Sequence, residues 1–163
     1  MEAILLIMSV EVVRLFLEQW KLEDRIQTFD VSSATVSLAA LAVGVSEAEI
    51  VKTIAFRKKD GSVLLLCAAG DMKVDNKRFK ATFETKARML NGEETLSEVG
   101  FGIGGVCPFV KKEGIEIALD ESLKRFSAIY PAGGDSASAV RLSCGELEKI
   151  TAGRWVDVCS PLS

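Results

Sequence analysis

The chain has 163 residues, 48% of them apolar and 26% charged, with a formal net charge of −3 and no histidine. That length and composition suit one globular domain, residues 1–163, with an interior that folds without staples. They exclude a Cys/His zinc site, histidine-based acid–base or nucleophilic chemistry, and a grip on nucleic acid by bulk positive charge.

No run of about 20 apolar residues occurs, so no membrane-spanning helix and no membrane partner is expected. Met1–Met8 is apolar but lacks a basic segment and a cleavage site. It reads as a frayed terminus or a first helical turn, with Met8 a candidate natural start. Residues 1–25 as a whole read as an N-terminal helical extension. Val12, Val13, Phe16, Leu17 and Trp20 share one face of a helix over 10–21, with Ser9 at its N-cap. Ile26–Val31 reads as a short strand. Ser32 or Ser33 then caps a helix over Ala34–Val43 that ends at Gly44. Ser46–Glu49 is a capping box opening a short helix that carries Ile50, Val51 and Lys52.

Thr53–Lys58 and Ser62–Ala69 are apolar runs joined by a hairpin signal, Lys59-Asp60-Gly61. Asp75 caps a helix over Asn76–Thr82. Lys86–Leu90 is extended, and Glu93–Val99 forms a helix ending at Gly100. Strands are predicted at Phe101–Val110, Ile115–Leu119, Ser127–Pro131, Ala139–Leu142 and Trp155–Val158. Asp120–Phe126 makes a helical turn, and Ser143–Glu146 opens a last helix ending near Thr151. Early helices followed by hairpin-like strands point to an α+β fold with a mixed sheet, not a doubly wound parallel one.

Charge is unevenly spread. Lys52–Lys112 holds 12 basic and 7 acidic residues, net +5, while the remainder is net −8. The middle third could face a phosphate backbone, or it could be solvated surface. The four cysteines, Cys67, Cys107, Cys144 and Cys159, are dispersed and read as reduced, mostly buried thiols of a cytoplasmic protein, with no metal site.

Without histidine, chemistry must run on backbone groups, a lysine, hydroxyls or carboxylates. Lys52 is one candidate. A cation at a helix C-terminus is favoured by up to about 1 kcal/mol, so its position also has a purely structural explanation. Gly104-Gly105-Val106-Cys107-Pro108 is another. Adjacent glycines let a ligand approach the main chain and can point consecutive N–H groups at one oxygen, although a bulge or tight bend would use them equally well. Cys107 has no histidine to activate it as a nucleophile. Gly133-Gly134, after Tyr130-Pro131-Ala132, reads as a pocket wall or a plain turn.

Taken in order, these segments resemble the YbaK/ProX family of aminoacyl-tRNA deacylases, relatives of the editing domain inserted in some bacterial prolyl-tRNA synthetases. The matching pieces are Ala39–Val45, Ile50-Val51-Lys52-Thr53-Ile54-Ala55-Phe56, Ala69-Gly70-Asp71 with Val74-Asp75, Gly104–Pro108, Ala132-Gly133-Gly134 and the closing Leu142–Val158. The resemblance implies a mixed, partly barrel-like sheet surrounded by helices, no cofactor, and hydrolysis of the ester joining a wrong amino acid to the CCA end of tRNA. Cys-, Ala-, Ser- and Thr-charged tRNA are the expected substrates. Prolyl-tRNA synthetase is a possible partner, and DNA is not.

Carried over by position, Lys52 corresponds to the family's essential lysine, which holds the terminal nucleotide. Gly104 and Gly105 correspond to the loop that contacts the aminoacyl carbonyl through backbone amides. Gly133 and Gly134 match the second pocket loop. Thr35 falls where some members carry a pocket hydroxyl, and Thr53, Cys107 and Pro108 complete the expected substrate-binding set. Some relatives use a histidine near the amino-acid pocket and others an aspartate where this chain has Ala139, which leaves the amino-acid specificity open. Two other readings stay open as well: a binding module that holds a tRNA end, a nucleotide or a synthetase without turnover, and a hydrolase of small activated acyl compounds.

Overall fold

The computed structural model describes residues 9–162, so the expectation for Met1–Met8 lies outside the described residues. Its centre is strand β3 (Val63–Ala69), in which all seven residues are buried. A strand covered on both faces reads as a continuous apolar run, as this one does. Strand β2 (Ile50–Arg57) pairs with it antiparallel, from Val51↔Ala69 to Arg57↔Val63, through the predicted hairpin turn. Strand β5 (Glu116–Asp120) lies parallel to β3, and β8 (Arg154–Val156) lies parallel to β5. The two-residue β6 (Tyr130–Pro131) lies parallel to β2, giving the order β6-β2-β3-β5-β8.

Two antiparallel pairs extend this mixed sheet: β1 (Ile26–Thr28) with β7 (Ser138–Val140), and β4 (Met72–Val74) with β9 (Cys159–Pro161). Bridges at Ala132↔Ala139 and Ile129↔Leu142 join β7 to the β6 edge, so the sheet turns on itself there in the expected partly barrel-like manner.

The alternation of β3 divides the interior in two. Val63, Leu65, Cys67 and Ala69 face a larger core with Val13 and Leu17 of helix α1 (Val10–Glu18), Val99 of α4 (Gly92–Val99), and Leu147 and Ile150 of α5 (Cys144–Thr151). Leu64, Leu66 and Ala68 face a smaller core with Phe56 and with Phe79 of α3 (Asn76–Phe83). Helix α2 (Val36–Val43) packs Ala39 and Ala40 over Ile50, at one end of β2. No helix among the described residues is long and apolar enough to cross a membrane.

Several local expectations are corrected. Helix α2 starts two residues late, because Thr35 rather than Ser32 or Ser33 is its N-cap and accepts from the Leu38 amide at 3.1 Å. Ser33 instead hydrogen-bonds the Ser136 carbonyl at 3.0 Å. The Ser46 capping box opens only a 3₁₀ turn at Glu47–Glu49, so Lys52 lies inside β2 and not at a helix end. Residues 101–110 form a loop, not a strand. There the Gly105 amide closes a turn onto the Gly102 carbonyl, Pro108 offers no N–H, and Val110 sits at φ 54, each incompatible with a regular ladder.

Asp120, 1% exposed, ties the end of β5 to the last strands. Its carboxylate accepts from the Ser122 amide at 3.0 Å and the Val158 amide at 2.9 Å. Asp120→Ala leaves both buried amides without their acceptor, and urea unfolding should show a loss of about 2–4 kcal/mol. A loss under about 0.5 kcal/mol would mean that these amides find other partners.

Candidate active site

Lys52 follows from the two-residue period of β2. It shares a face with Ile50, which packs beneath α2, and Phe56, which meets the Phe79 ring of α3 at 4.8 Å between centroids. Its side chain therefore emerges in the gap between two helices. The ammonium hydrogen-bonds the Met72 carbonyl at the start of β4. That turn is braced by Asp71, whose carboxylate takes a two-pronged contact from Arg125 at 2.6 and 3.0 Å. The Arg125 hydrogen bonds hold the Asp71 carboxyl below its usual range. Burial lowers the Lys52 pKa from its ordinary 10.5, opposed by the nearby Cys159 and Asp71.

A cavity of about 180 Å³ opens beside Lys52. Thr35, Lys52, Thr53 and Gly104, all expected site residues, line it, and small apolar side chains such as Val36, Ala39, Ala132 and Ala139 complete most of the wall. Lys52 is its only charged lining residue among the described residues. The cavity exists because the edge of β2 is left open. Strand β6 accompanies β2 only at Ile50–Val51, and the next neighbour joins at Ala55, whose carbonyl accepts from the Leu90 amide at 2.9 Å. Between them, Lys52–Ile54 has no strand beside it on that edge among the described residues. Thr53's N–H and C=O face the gap, in phase with the Ala55 carbonyl and the Arg57 amide. The Thr53 hydroxyl lies 3.6 Å from the Cys67 sulfur on the opposite face from Lys52.

The other expected residues stand behind this lining. Gly104 reaches the cavity at φ +82, a conformation that L side chains rarely adopt. Gly105 is buried, and its amide donates to the Gly102 carbonyl at 3.0 Å. Of residues 102–108, Gly104 and Val106, both within the glycine-loop segment, are the two that line the cavity. Tyr130 and Ser138 line it too, and nothing in their sequence context marked them. Cys107 and Pro108 are buried and do not line the cavity, and burial pushes the Cys107 thiol up. Cys67 is likewise pushed up to about 12, and Cys159 to about 12, chiefly by burial. Thiolate chemistry at these three is strongly disfavoured.

Gly133 and Gly134 are also buried, and they position the glycine loop from behind. A Cβ on Gly105 would lie 2.6 Å from the Gly134 carbonyl oxygen and 2.8 Å from the Asp135 Cα. Thr35 keeps one capability: its oxygen caps α2, while its proton remains free to be donated into the cavity.

Two outcomes are expected. Gly105→Ala must push the two loops apart, destabilising the protein by about 1–3 kcal/mol and widening the cavity. Thermal unfolding that matches wild type would show that the loops yield freely. For Lys52, the lowered pKa means that the unfolded chain binds more protons between the folded value and 10.5. Wild-type stability should therefore rise relative to Lys52→Met as pH climbs through that window. Urea unfolding at a series of alkaline pH values measures this, and a relative fall would mean that the fold stabilises the ammonium.

Comparison with known proteins places this geometry. The aminoacyl-tRNA editing domain matches residues 31–150. The uncharacterized protein YwhH of Bacillus subtilis (strain 168) is 45% identical over 153 residues, spanning 93% of this chain and 98% of that protein. A crystal structure presented as a candidate trans-editing enzyme for prolyl tRNA synthetase superposes with a TM-score of 0.84 at 26% identity, over 93% of this chain and 96% of that one. The hypothetical protein APE2540 superposes with a TM-score of 0.80 at 27% identity, over 89% and 99%. By the extent of the match and the cavity that its motifs surround, the chain belongs to the aminoacyl-tRNA editing domain family, of YbaK type.

Proposed function

We propose that this chain is a trans-editing deacylase that hydrolyses the ester of mischarged aminoacyl-tRNA, with Cys-, Ala-, Ser- and Thr-charged tRNA as the substrates to test. The observation that carries this reading is the convergence of Lys52 and Gly104, far apart in the chain, on one small cavity otherwise walled mainly by short side chains. At about 180 Å³ it is smaller than the roughly 300–1,000 Å³ of a pocket for a drug-sized ligand. It suits a small aminoacyl group, with the nucleotide lying outside along the surface.

In this reading the aminoacyl group enters between α2 and the glycine loop, and the Lys52 ammonium attracts the phosphate or ribose of the terminal nucleotide. Water adds to the ester carbonyl, and the amides of Gly104 and Val106 donate to the developing oxyanion. Collapse breaks the ester bond, returning the ribose hydroxyl to tRNA and releasing the amino acid. An aminoacyl ester is already labile, so orientation and oxyanion donors suffice without a histidine. The neighbouring ribose hydroxyl positions the attacking water. Thr35 and Thr53 supply polar contacts at the rim, while Gly105, Gly133 and Gly134 hold the loop. Prolyl-tRNA synthetase is the natural partner to test, because the solved neighbour carries that association.

A panel of Ala-, Cys-, Ser- and Thr-charged tRNAs decides the matter. Wild-type protein should deacylate at least one at micromolar enzyme. Lys52→Ala should reduce that rate by about 100-fold or more while leaving the unfolding transition cooperative. No turnover on any member ends the catalytic reading, and tRNA binding without turnover would make the chain a binding module.

A further inference from the structure

We propose that the face formed by the β2–β3 turn, α3 and residues 84–88 docks the sugar–phosphate backbone of the tRNA whose end enters the cavity at Lys52. The inference rests on the editing reading and names the surface that holds the body of the substrate.

Five cations, Lys59, Lys77, Lys80, Lys86 and Arg88, are exposed on this face. They border a hollow of about 490 Å³ and a second, adjoining one that shares Lys80 and Lys86. None of the five pairs with a carboxylate among the described residues. Their neighbours differ: Arg57 is held by Glu94 and Glu98, and Lys58 by Glu116 at 2.8 Å. Arg78 of α3, and Arg25, Arg125 and Arg154 elsewhere, are ion-paired too, whereas Lys21, Lys73, Arg141 and Lys149 lie scattered without a carboxylate partner among the described residues. The carboxylates closest in sequence are Asp60, which accepts from Ser62, Asp75, which caps α3 and lies 4.0 Å from Arg78, and Glu84, which lines the larger hollow without an ion pair among the described residues. In a protein of net charge −3, gathering unneutralised cations on one face creates a positive field suited to a polyanion.

Strand β2 connects this face to the cavity. Lys52 lines the cavity and Arg57 borders the basic hollow, five residues apart on one strand, or about 17 Å at the usual rise. A stacked nucleic-acid strand advances about 3.4 Å per nucleotide. A tRNA whose last nucleotide lies at Lys52 therefore brings phosphates about five nucleotides back, where the paired stem begins, onto these cations. The surface between is a third hollow of about 190 Å³ along Thr53–Ala55, with Met89 and Ile103 65% and 81% exposed at its rim. These apolar side chains offer unpaired bases a surface to lie on. The basic hollow is lined by no aromatic side chain. It is built to hold phosphates and not to read bases.

The triple variant Lys80→Gln/Lys86→Gln/Arg88→Gln tests this, since all three residues are exposed and remote from the cavity lining. Deacylation is measured on full-length mischarged tRNA and on the same aminoacyl ester carried by a CCA trinucleotide, and binding of uncharged tRNA is measured across a salt series. The variant should raise KM for tRNA about tenfold or more, leave the trinucleotide ester unaffected, and reduce the slope of log K against log salt by about two to three. Unchanged tRNA kinetics and salt slope overturn the proposal, as does an equal loss on both substrates. Loss of prolyl-tRNA synthetase association with tRNA kinetics intact also overturns it, assigning the face to a protein partner. If the wild type hydrolyses neither substrate, the editing reading fails. The docking surface then still stands or falls on whether the variant flattens the salt dependence of tRNA binding.

Discussion

Strand β3 lets neither of its faces meet water, and the rest of the chain is arranged to satisfy it. Every residue from Val63 to Ala69 is buried, so helices must cover one side and α3 with the closing strands the other. Burying seven such residues in the centre of a sheet is the largest apolar commitment that any one strand of the fold makes. Strand β2 is fixed by it along its whole length through seven paired positions. On its far side β2 owes nothing to that constraint, and there the sheet leaves part of an edge open.

That asymmetry locates the site. One edge of β2 is rigid because it is paired, and the opposite edge is vacant between β6 and residue 90. Lys52 and Thr53 occupy the vacancy, and the 102–106 loop crosses in front of it. The lysine and the backbone groups beside it are carried by the best-anchored strand after β3 itself, which suits a site that relies on orientation more than on nucleophile strength. Lys52's ammonium rests against a main-chain carbonyl and not a carboxylate, so its charge stays uncancelled and available to an anion.

Much of this was legible in the residues. The hairpin at Lys59–Gly61, the capping box at Ser143, and the glycine stops at Gly44 and Gly100 are local signals, and the structure uses each locally. Tertiary demands overrode local ones elsewhere. Ser33 and Thr35 are both competent caps, and the sequence does not show that Ser33's hydroxyl is claimed by Ser136, a hundred residues away. The apolar stretch Phe101–Val110 has the composition of a strand, but Phe101, Cys107 and Phe109 are buried from a loop that glycine turns and Pro108 keep out of any ladder. Lys52 and the glycine loop were legible as candidates through their spacing. Tyr130 and Ser138 were not, because what places them at the cavity is the shortness of β6, a property of sheet closure with no local signature.

The contact between Gly105 and Gly134 carries a further consequence. With less than a methyl group's clearance between these two loops, neither can change size without the other. The cavity thus has one fixed wall and one adjustable wall, made by α2 and the β6–β7 bridge, where Ala39, Ala132 and Ala139 stand. Divergence in what relatives accept should accumulate on the alanine side, one side chain at a time, while the glycine side is inherited as a single part.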